Sequence, residues 1–236
     1  MEPTLPAPDP QWRPHAVVFD CDGVLMDTES AWAHVQRDVA EDFGVAIDER
    51  TEKDLMGLSA RDVARHITRE AQKLAEVRGS AAPSFDEVSA HLLRTEDEVV
   101  GSVIEPLPGA LETVRAFARH VPVAVASNST GPILDRKMKA VGLEGVLQTW
   151  VSADDVADGK PSPDIYEEAV RRLGVAPADA LAVEDSPAGT TAAEAAGMAV
   201  LGVPRGHDEP LRSHWLVGSL DDPALVELLR GWGVER

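Results

Sequence analysis

The sequence predicts an α/β fold, a parallel sheet covered by helices on both faces, with an all-helical segment inserted after the first strand. The apolar run Ala16-Val17-Val18-Phe19 stands alone near the start, and residues 28–104 after it read as helix following helix. From Pro106 onward short apolar runs alternate with helical stretches, the pattern of parallel strands joined by crossover helices. The isolated first strand can enter that sheet only if residues 28–104 form an insertion.

Each element has a local signal. Residues 1–14 carry Pro3, Pro6, Pro8, Pro10 and Pro14 with almost no apolar periodicity, so they read as an extended, flexible tail. The first strand is 16–19. Helices follow at 28–43, 48–56, 59–77 and 84–100; each begins at or near Ser, Thr or Asp and stops at a glycine, namely Gly44, Gly57, Gly79 and Gly101. Helix 108–120, strand 121–126, helix 131–141, strand 149–152 and helix 163–173 come next. Strand 180–183, helix 188–196, strands 199–203 and 215–217, and helix 223–232 complete the chain. The expected organisation is a tail (1–14), a core domain built from 15–27 and 105–236, and a helical cap (28–104).

Composition limits the partners. The chain has 236 residues, 44% of them hydrophobic, enough for a real core. A formal charge of −19 without any Lys/Arg block argues against nucleic acid and anionic membranes, so an anionic substrate needs a local cation or lysine. No apolar run approaches the roughly 20 residues that span a bilayer, and the first residues show no basic segment followed by an apolar one. The lone cysteine, Cys21, excludes an intramolecular disulfide and fits a reducing compartment; a cytoplasmic protein, monomeric or weakly self-associating, is expected. Cys21 itself reads as a small residue facing the core.

Four polar clusters fall at predicted strand ends, where ligands bind in open parallel sheets. The first is Asp20-Cys21-Asp22-Gly23. Alone it could be a turn, but two carboxylates with a permissive glycine can divide labour. One, kept ionised by a cation, attacks an electrophile; the other passes a proton to a leaving group and takes one from water. The second, Ser127-Asn128-Ser129 ahead of a helix, can hold phosphate oxygens. In the third, Gly159-Lys160-Pro161-Ser162-Pro163-Asp164, proline fixes the approach of Lys160, whose ammonium can screen a carboxylate from a phosphate. The fourth, Glu184-Asp185-Ser186, adds two carboxylates, and such an oxygen-rich patch calls for a hard cation such as Mg²⁺.

The order DxDGV, SNS, GKPSPD, EDSPAG resembles the haloacid dehalogenase-like (HAD) superfamily, specifically its β-phosphoglucomutase-like branch, with a Rossmann-like core and a helical cap. The resemblance runs from about His15 to near the C-terminus and is thinnest in the cap. It implies that Asp20 is the nucleophile that becomes an aspartyl phosphate, that Asp22 is the general acid/base, and that Lys160 bridges nucleophile and phosphate. Ser127 and Asn128 correspond to the phosphate-binding pair. The implied Mg²⁺ site comprises Asp20, Asp22 through its backbone carbonyl, Asp185, and Glu184 directly or through water.

The presence of Asp22 disfavours dehalogenation and phosphonate cleavage. Where mutases of this branch carry a histidine and a KGVSR-like loop, this chain has Trp32 and Met56-Gly57-Leu58-Ser59, with Ala60 at the arginine position and Arg61 one further on. Those changes remove cations for a second phosphate. The expectation is a Mg²⁺-dependent phosphatase acting on a small phosphorylated metabolite such as a sugar phosphate. A sugar phosphomutase and a catalytically idle binding protein are the alternatives. Trp32, Gly57, Ser59 and Arg61 are the candidate substrate contacts in the cap, with Met56, Leu58 and His66 nearby; cap closure is expected to hinge near Asp27 and 104–105.

Overall fold

The computed structural model describes residues 2–6, 8–55, 58–100, 105–205 and 210–236. Six strands, β1 (Ala16–Phe19), β2 (Val123–Ala126), β3 (Thr149–Val151), β4 (Ala180–Glu184), β5 (Ala199–Gly202) and β6 (Trp215–Leu216), form one parallel sheet in the order β3-β2-β1-β4-β5-β6. Alternation divides β1 between two apolar layers: Val17 and Phe19 enter one, Ala16 and Val18 the other. The first layer is completed by α5 (Ala110–Ala118), α6 (Gly131–Ala140) and α9 (Pro223–Gly231), through residues such as Phe117, Leu134 and Leu225. The second is completed by α7 (Asp164–Leu173) and α8 (Pro187–Ala195), through Ile165, Tyr166 and Ala192. A sheet buried on both faces explains why its strands read as unbroken apolar runs.

The segment between β1 and α5 is helical: α1 (Glu29–Asp42), α2 (Glu49–Leu55), α3 (Ala60–Arg78) and α4 (Phe85–Val100). It has its own apolar cluster, in which Val35 and Val39 of α1 meet Val63 and Ile67 of α3 and Val88 and Leu92 of α4. Ser59 caps α3 by accepting from the Asp62 N–H, and Gly79 ends it at φ +66°. The expected end of α2 at Met56 and Gly57 lies outside the described residues.

Two connections join this helical cap to the sheet, and they run side by side. The Leu107 N–H donates to the Leu25 carbonyl (2.9 Å), the Asp27 N–H to the Glu105 carbonyl (3.3 Å), and Met26 bridges Pro106.

The N-terminal segment bends at Thr4–Leu5 and turns at Pro10–Gln11, where the Trp12 N–H returns to the Asp9 carbonyl (2.8 Å), and it is anchored to the core. The Thr4 and Leu5 N–H groups donate to the Ser213 carbonyl (3.1 and 2.9 Å). Trp12 donates from Nε1 to the Ala178 carbonyl (3.0 Å), and its ring lies 5.4 Å from Trp215 and 6.1 Å from Trp232. A large indole supplies the apolar contact that the proline pattern around it conceals.

Phe19 pairs with Val125 on one side and Val183 on the other. That register brings the carboxyl ends of β1, β2 and β4 level, so residues 20–22, 127–129 and 184–185 converge on one edge beneath the cap.

Candidate active site

Asp20 leaves the end of β1 almost buried, its backbone N–H donating to the Val183 carbonyl (2.9 Å). The chain then turns sharply: Gly23 has φ +86°, and a Cβ there would lie 1.9 Å from Asp185 Oδ2. Only glycine allows both the backbone conformation and the approach of the β4 carboxylate. Cys21 is fully buried with Sγ 4.0 Å from Met26 Sδ, a core residue as its type suggests.

Lys160 is the hub. Its ammonium, 3% exposed as a residue, donates to Asp20 Oδ1, to Glu184 Oε1 (2.7 Å) and to the Ala126 carbonyl (2.9 Å). The peptide bond between Lys160 and Pro161 is cis. Asn128 fixes this loop with its side chain, donating from Nδ2 to the Lys160 carbonyl (3.1 Å) and accepting the Lys160 N–H (2.8 Å). Tyr166 donates its hydroxyl to Glu184 Oε1 (2.7 Å), while Glu184 Oε2 accepts the N–H groups of Asp185 and Ser186 (3.0 and 3.2 Å). Burial, reinforced by Glu184 and Asp22 and opposed by Lys160, raises the Asp20 carboxyl to about 7.

Asp22 has separate partners. Oδ1 accepts from the Thr28 hydroxyl and the Lys137 ammonium; Oδ2 accepts from the Ser127 and Ser129 hydroxyls, both at 3.1 Å. Lys137 also donates to Ser129 Oγ (2.9 Å) and is 2% exposed. Burial alone would raise this carboxyl, but Lys137 and the hydroxyls override it and hold it at about 2.

Asp20, Glu184 and Asp185 offer carboxylate oxygens within 4.8 Å of one another, all buried, a group that could hold a metal ion. The Asp22 carboxylate is not in that trio. Four carboxylates meet two ammonium groups at these strand ends, so a hard divalent cation suits both the donors and the charge.

The cleft above, with about 880 Å³ of empty space that includes open solvent, lies between these strand ends and the cap. Trp32, Ala33 and Gln36 of α1, Glu52 of α2, Leu58 just before α3, Ala60 of α3 and Glu96 of α4 supply its cap wall. Of the cap residues singled out by sequence, Trp32 and Leu58 reach it. Ser59 spends its hydroxyl on Asp62 (2.7 Å), Arg61 is exposed on α3, and His66 sits beside Arg69; none of the three lines this cleft. Gly57 and Met56 lie outside the described residues.

Sequence reading missed Lys137, Thr28, Tyr166, Gln36 and Glu96. Lys137 carried a signal, since it shares the buried stripe of α6 with Ile133, Leu134 and Met138. Thr28 carried another: it sits at the N-cap of α1 yet makes no side-chain cap, its hydroxyl going to Asp22 instead.

Residues 17–203 match the family model for haloacid dehalogenase-like hydrolases. The chain belongs to that family. It is 33% identical over 226 residues to a bifunctional riboflavin kinase/FMN phosphatase of Arabidopsis thaliana, an alignment covering 92% of this chain and 55% of that protein. The chain thus spans about half the length of that relative. It is 31% identical over 186 residues to a phosphorylated carbohydrates phosphatase of Thermotoga maritima, covering 78% and 82% of the two. The fold is shared with a β-phosphoglucomutase of Clostridium difficile at TM-score 0.77 and 20% identity, over 93% of this chain and 97% of that one. The parallel core with its helical cap is thus a fold that this HAD hydrolase shares with that β-phosphoglucomutase. Among the described residues no helix is long and apolar enough to cross a membrane.

Proposed function

We propose that this HAD hydrolase is a Mg²⁺-dependent phosphatase that removes phosphate from a small metabolite, a sugar phosphate in the first instance, through an aspartyl phosphate on Asp20. The observation that carries the reading is the Lys160 ammonium held between Asp20 and Glu184, with Asp185 beside them at the sheet edge. A nucleophile neutralised in this way can approach a phosphoryl group that bare carboxylates would repel.

Each chain residue then has a task. An Asp20 carboxylate oxygen attacks phosphorus while the ester P–O bond breaks, and the Asp22 carboxyl gives its proton to the departing alkoxide. The Asp22 carboxylate next takes a proton from water, whose oxygen attacks phosphorus and breaks the bond to Asp20, releasing inorganic phosphate. Substrate must draw Ser127, Ser129 and Lys137 away from Asp22 before that carboxyl can hold a proton. Asp20, Glu184 and Asp185, with the Asp22 backbone carbonyl, would hold Mg²⁺, which would supply charge neutralisation for the phosphoryl oxygens. Asn128 keeps the Lys160 loop in place.

The same reading assigns 15–27 and 105–236 to a core domain, 28–104 to the cap and 1–14 to the tail, supported by the paired connections at Asp27 and Glu105. It sets the protein in the cytoplasm, where the buried Cys21 thiol suits a reducing medium, without a nucleic-acid partner.

Phosphate release from a panel of sugar phosphates, phosphoglycolate and nucleotides, with Mg²⁺ and with EDTA, tests the proposal. Release from at least one ester, lost in EDTA and in Asp20→Asn, is expected. Mg²⁺ should also raise the melting temperature, since the ion binds the native carboxylates and not the unfolded chain. No release from the whole panel, with Asp20→Asn indistinguishable from wild type, would leave an idle binding protein.

A further inference from the structure

Three helices carry a polar residue on the stripe they bury. In α1, Gln36 lies between Val35 and Val39; in α4, Glu96 follows Val88 and Leu92 at four-residue spacing; in α6, Lys137 lies beside Met138. All three are at most 4% exposed and all line the cleft. Lys137 is matched by Asp22 and Ser129. Glu96 is not: its Oε2 is buried without a hydrogen-bond partner among the described residues. A buried carboxylate oxygen left unmatched is costly, so its partner is expected from outside the chain.

The rest of the cap wall narrows what that partner is. Trp32, Ala33, Leu58 and Ala60 are apolar, Glu52 is acidic, and no lysine or arginine of the cap lines the cleft among the described residues. The cations that do line it, Lys137 and Lys160, come from the core and are both paired with carboxylates. An anionic leaving group would face Glu96, whose Oε2 has no partner, and Glu52, which already pairs with Arg37 (3.1 Å), with no cap cation lining the cleft among the described residues. Burial, opposed by Lys137, raises the Glu96 carboxyl to about 7, so near neutrality it can accept or donate, as a hydroxyl does; an ammonium only donates.

We propose that Glu96, together with Gln36, receives hydroxyl groups of the leaving group, so that the substrate is a monophosphate of an uncharged, polyhydroxylated skeleton. This rests on the phosphatase reading above and adds the residues that select its substrate. The indole of Trp32 gives the carbon face of such a skeleton an apolar surface. Carboxylated phosphoesters and bisphosphates are selected against by the same wall.

The test is calorimetric binding with Mg²⁺ in an Asp20→Asn background, which prevents turnover. The probes are glucose 6-phosphate, sorbitol 6-phosphate, phosphoglycolate, fructose 1,6-bisphosphate and inorganic phosphate. A hydroxylated monophosphate should bind at least about tenfold tighter than inorganic phosphate, with phosphoglycolate and the bisphosphate showing no such gain. Adding Glu96→Ala should erase the gain, and Glu96→Gln, which keeps a carbonyl acceptor, should retain part of it. Equal weakening of inorganic phosphate and the hydroxylated ester, or tightest binding by an anionic skeleton, would overturn the proposal. Phosphate release by wild type separates the two readings. Selective binding without release removes the phosphatase and keeps the recognition; release without selective binding removes the recognition alone.

Discussion

Asp22 and Glu96 line the same cleft and illustrate what a neighbour does to a buried carboxyl. Both pay for burial, yet Lys137 and three hydroxyls hold Asp22 at about 2, while Glu96, whose Oε2 has no hydrogen-bond partner among the described residues, rises to about 7. For Glu96 the consequence is a stability that depends on pH. Its folded value lies above the ordinary 4.5, so the native state binds the proton more tightly than the unfolded chain. Stability therefore falls as pH rises from about 4.5 to about 7 and stays reduced above that. Glu96→Gln, which cannot ionise, should match wild type near pH 4.5 and exceed it by roughly 3 kcal/mol at pH 8. Denaturant unfolding at the two pH values measures the difference, and equal stabilities at pH 8 would contradict it. At this scale the sequence was legible where a polar residue stood at the end of an apolar run. Asp20, Asp22, Glu184 and Asp185 announced themselves that way, and Lys160 through the glycine and prolines that flank it. Lys137 and Glu96 lie within helices, where a charge is normally a solvated position, and only the stripe of buried neighbours separates the two cases.

Elements act here as rulers that set distances between those residues. Helix α8 starts at Pro187 with Ser186 as its cap, and its third residue, Gly189, faces the Glu184 carboxylate. A Cβ at Gly189 would lie 1.8 Å from Glu184 Oε1, the same oxygen that accepts from Lys160 and Tyr166. Gly189→Ala should thus destabilise the protein by about 1–3 kcal/mol, the usual penalty of overpacking. It should also lower phosphatase activity by loosening Lys160; a melting curve and a phosphate-release assay on one sample check both, and an unchanged pair would refute the argument. Helices α4 and α6 tie cap to core next to the cleft, where Arg136 pairs with Asp97 and donates from Nη1 to its carbonyl (3.3 Å). The elements themselves were readable from glycine stops and Ser/Thr/Asp starts, with boundaries off by a residue or two. Helix 108–120, for example, is regular only over Ala110–Ala118, and strand 121–126 begins at Val123 because the Val121 N–H still returns to Phe117. Such ends depend on caps and turns that no periodicity encodes.

For the whole molecule, topology came from texture and the site came from topology. An insertion after β1 was the only way to place the first strand in the sheet, and the order β3-β2-β1-β4-β5-β6 then sets Asp20 between Ser127 and Glu184. The cap's inner wall was not legible, because it depends on how four helices rotate about their axes when they pack. The anchoring of the N-terminal segment was hidden too, since proline spacing says nothing about where Trp12 lands. Of the five tryptophans, Trp12, Trp215 and Trp232 cluster beside the β6 edge and Trp150 lies in β3 at the opposite edge. Trp32 is the one that lines the cleft among the described residues. The protein thus carries an optical probe in the wall of the cleft, with the other four indoles as a constant background. A ligand that expels water from Trp32 should shift its emission to shorter wavelength, and Trp32→Phe should abolish that change while the other four continue to emit.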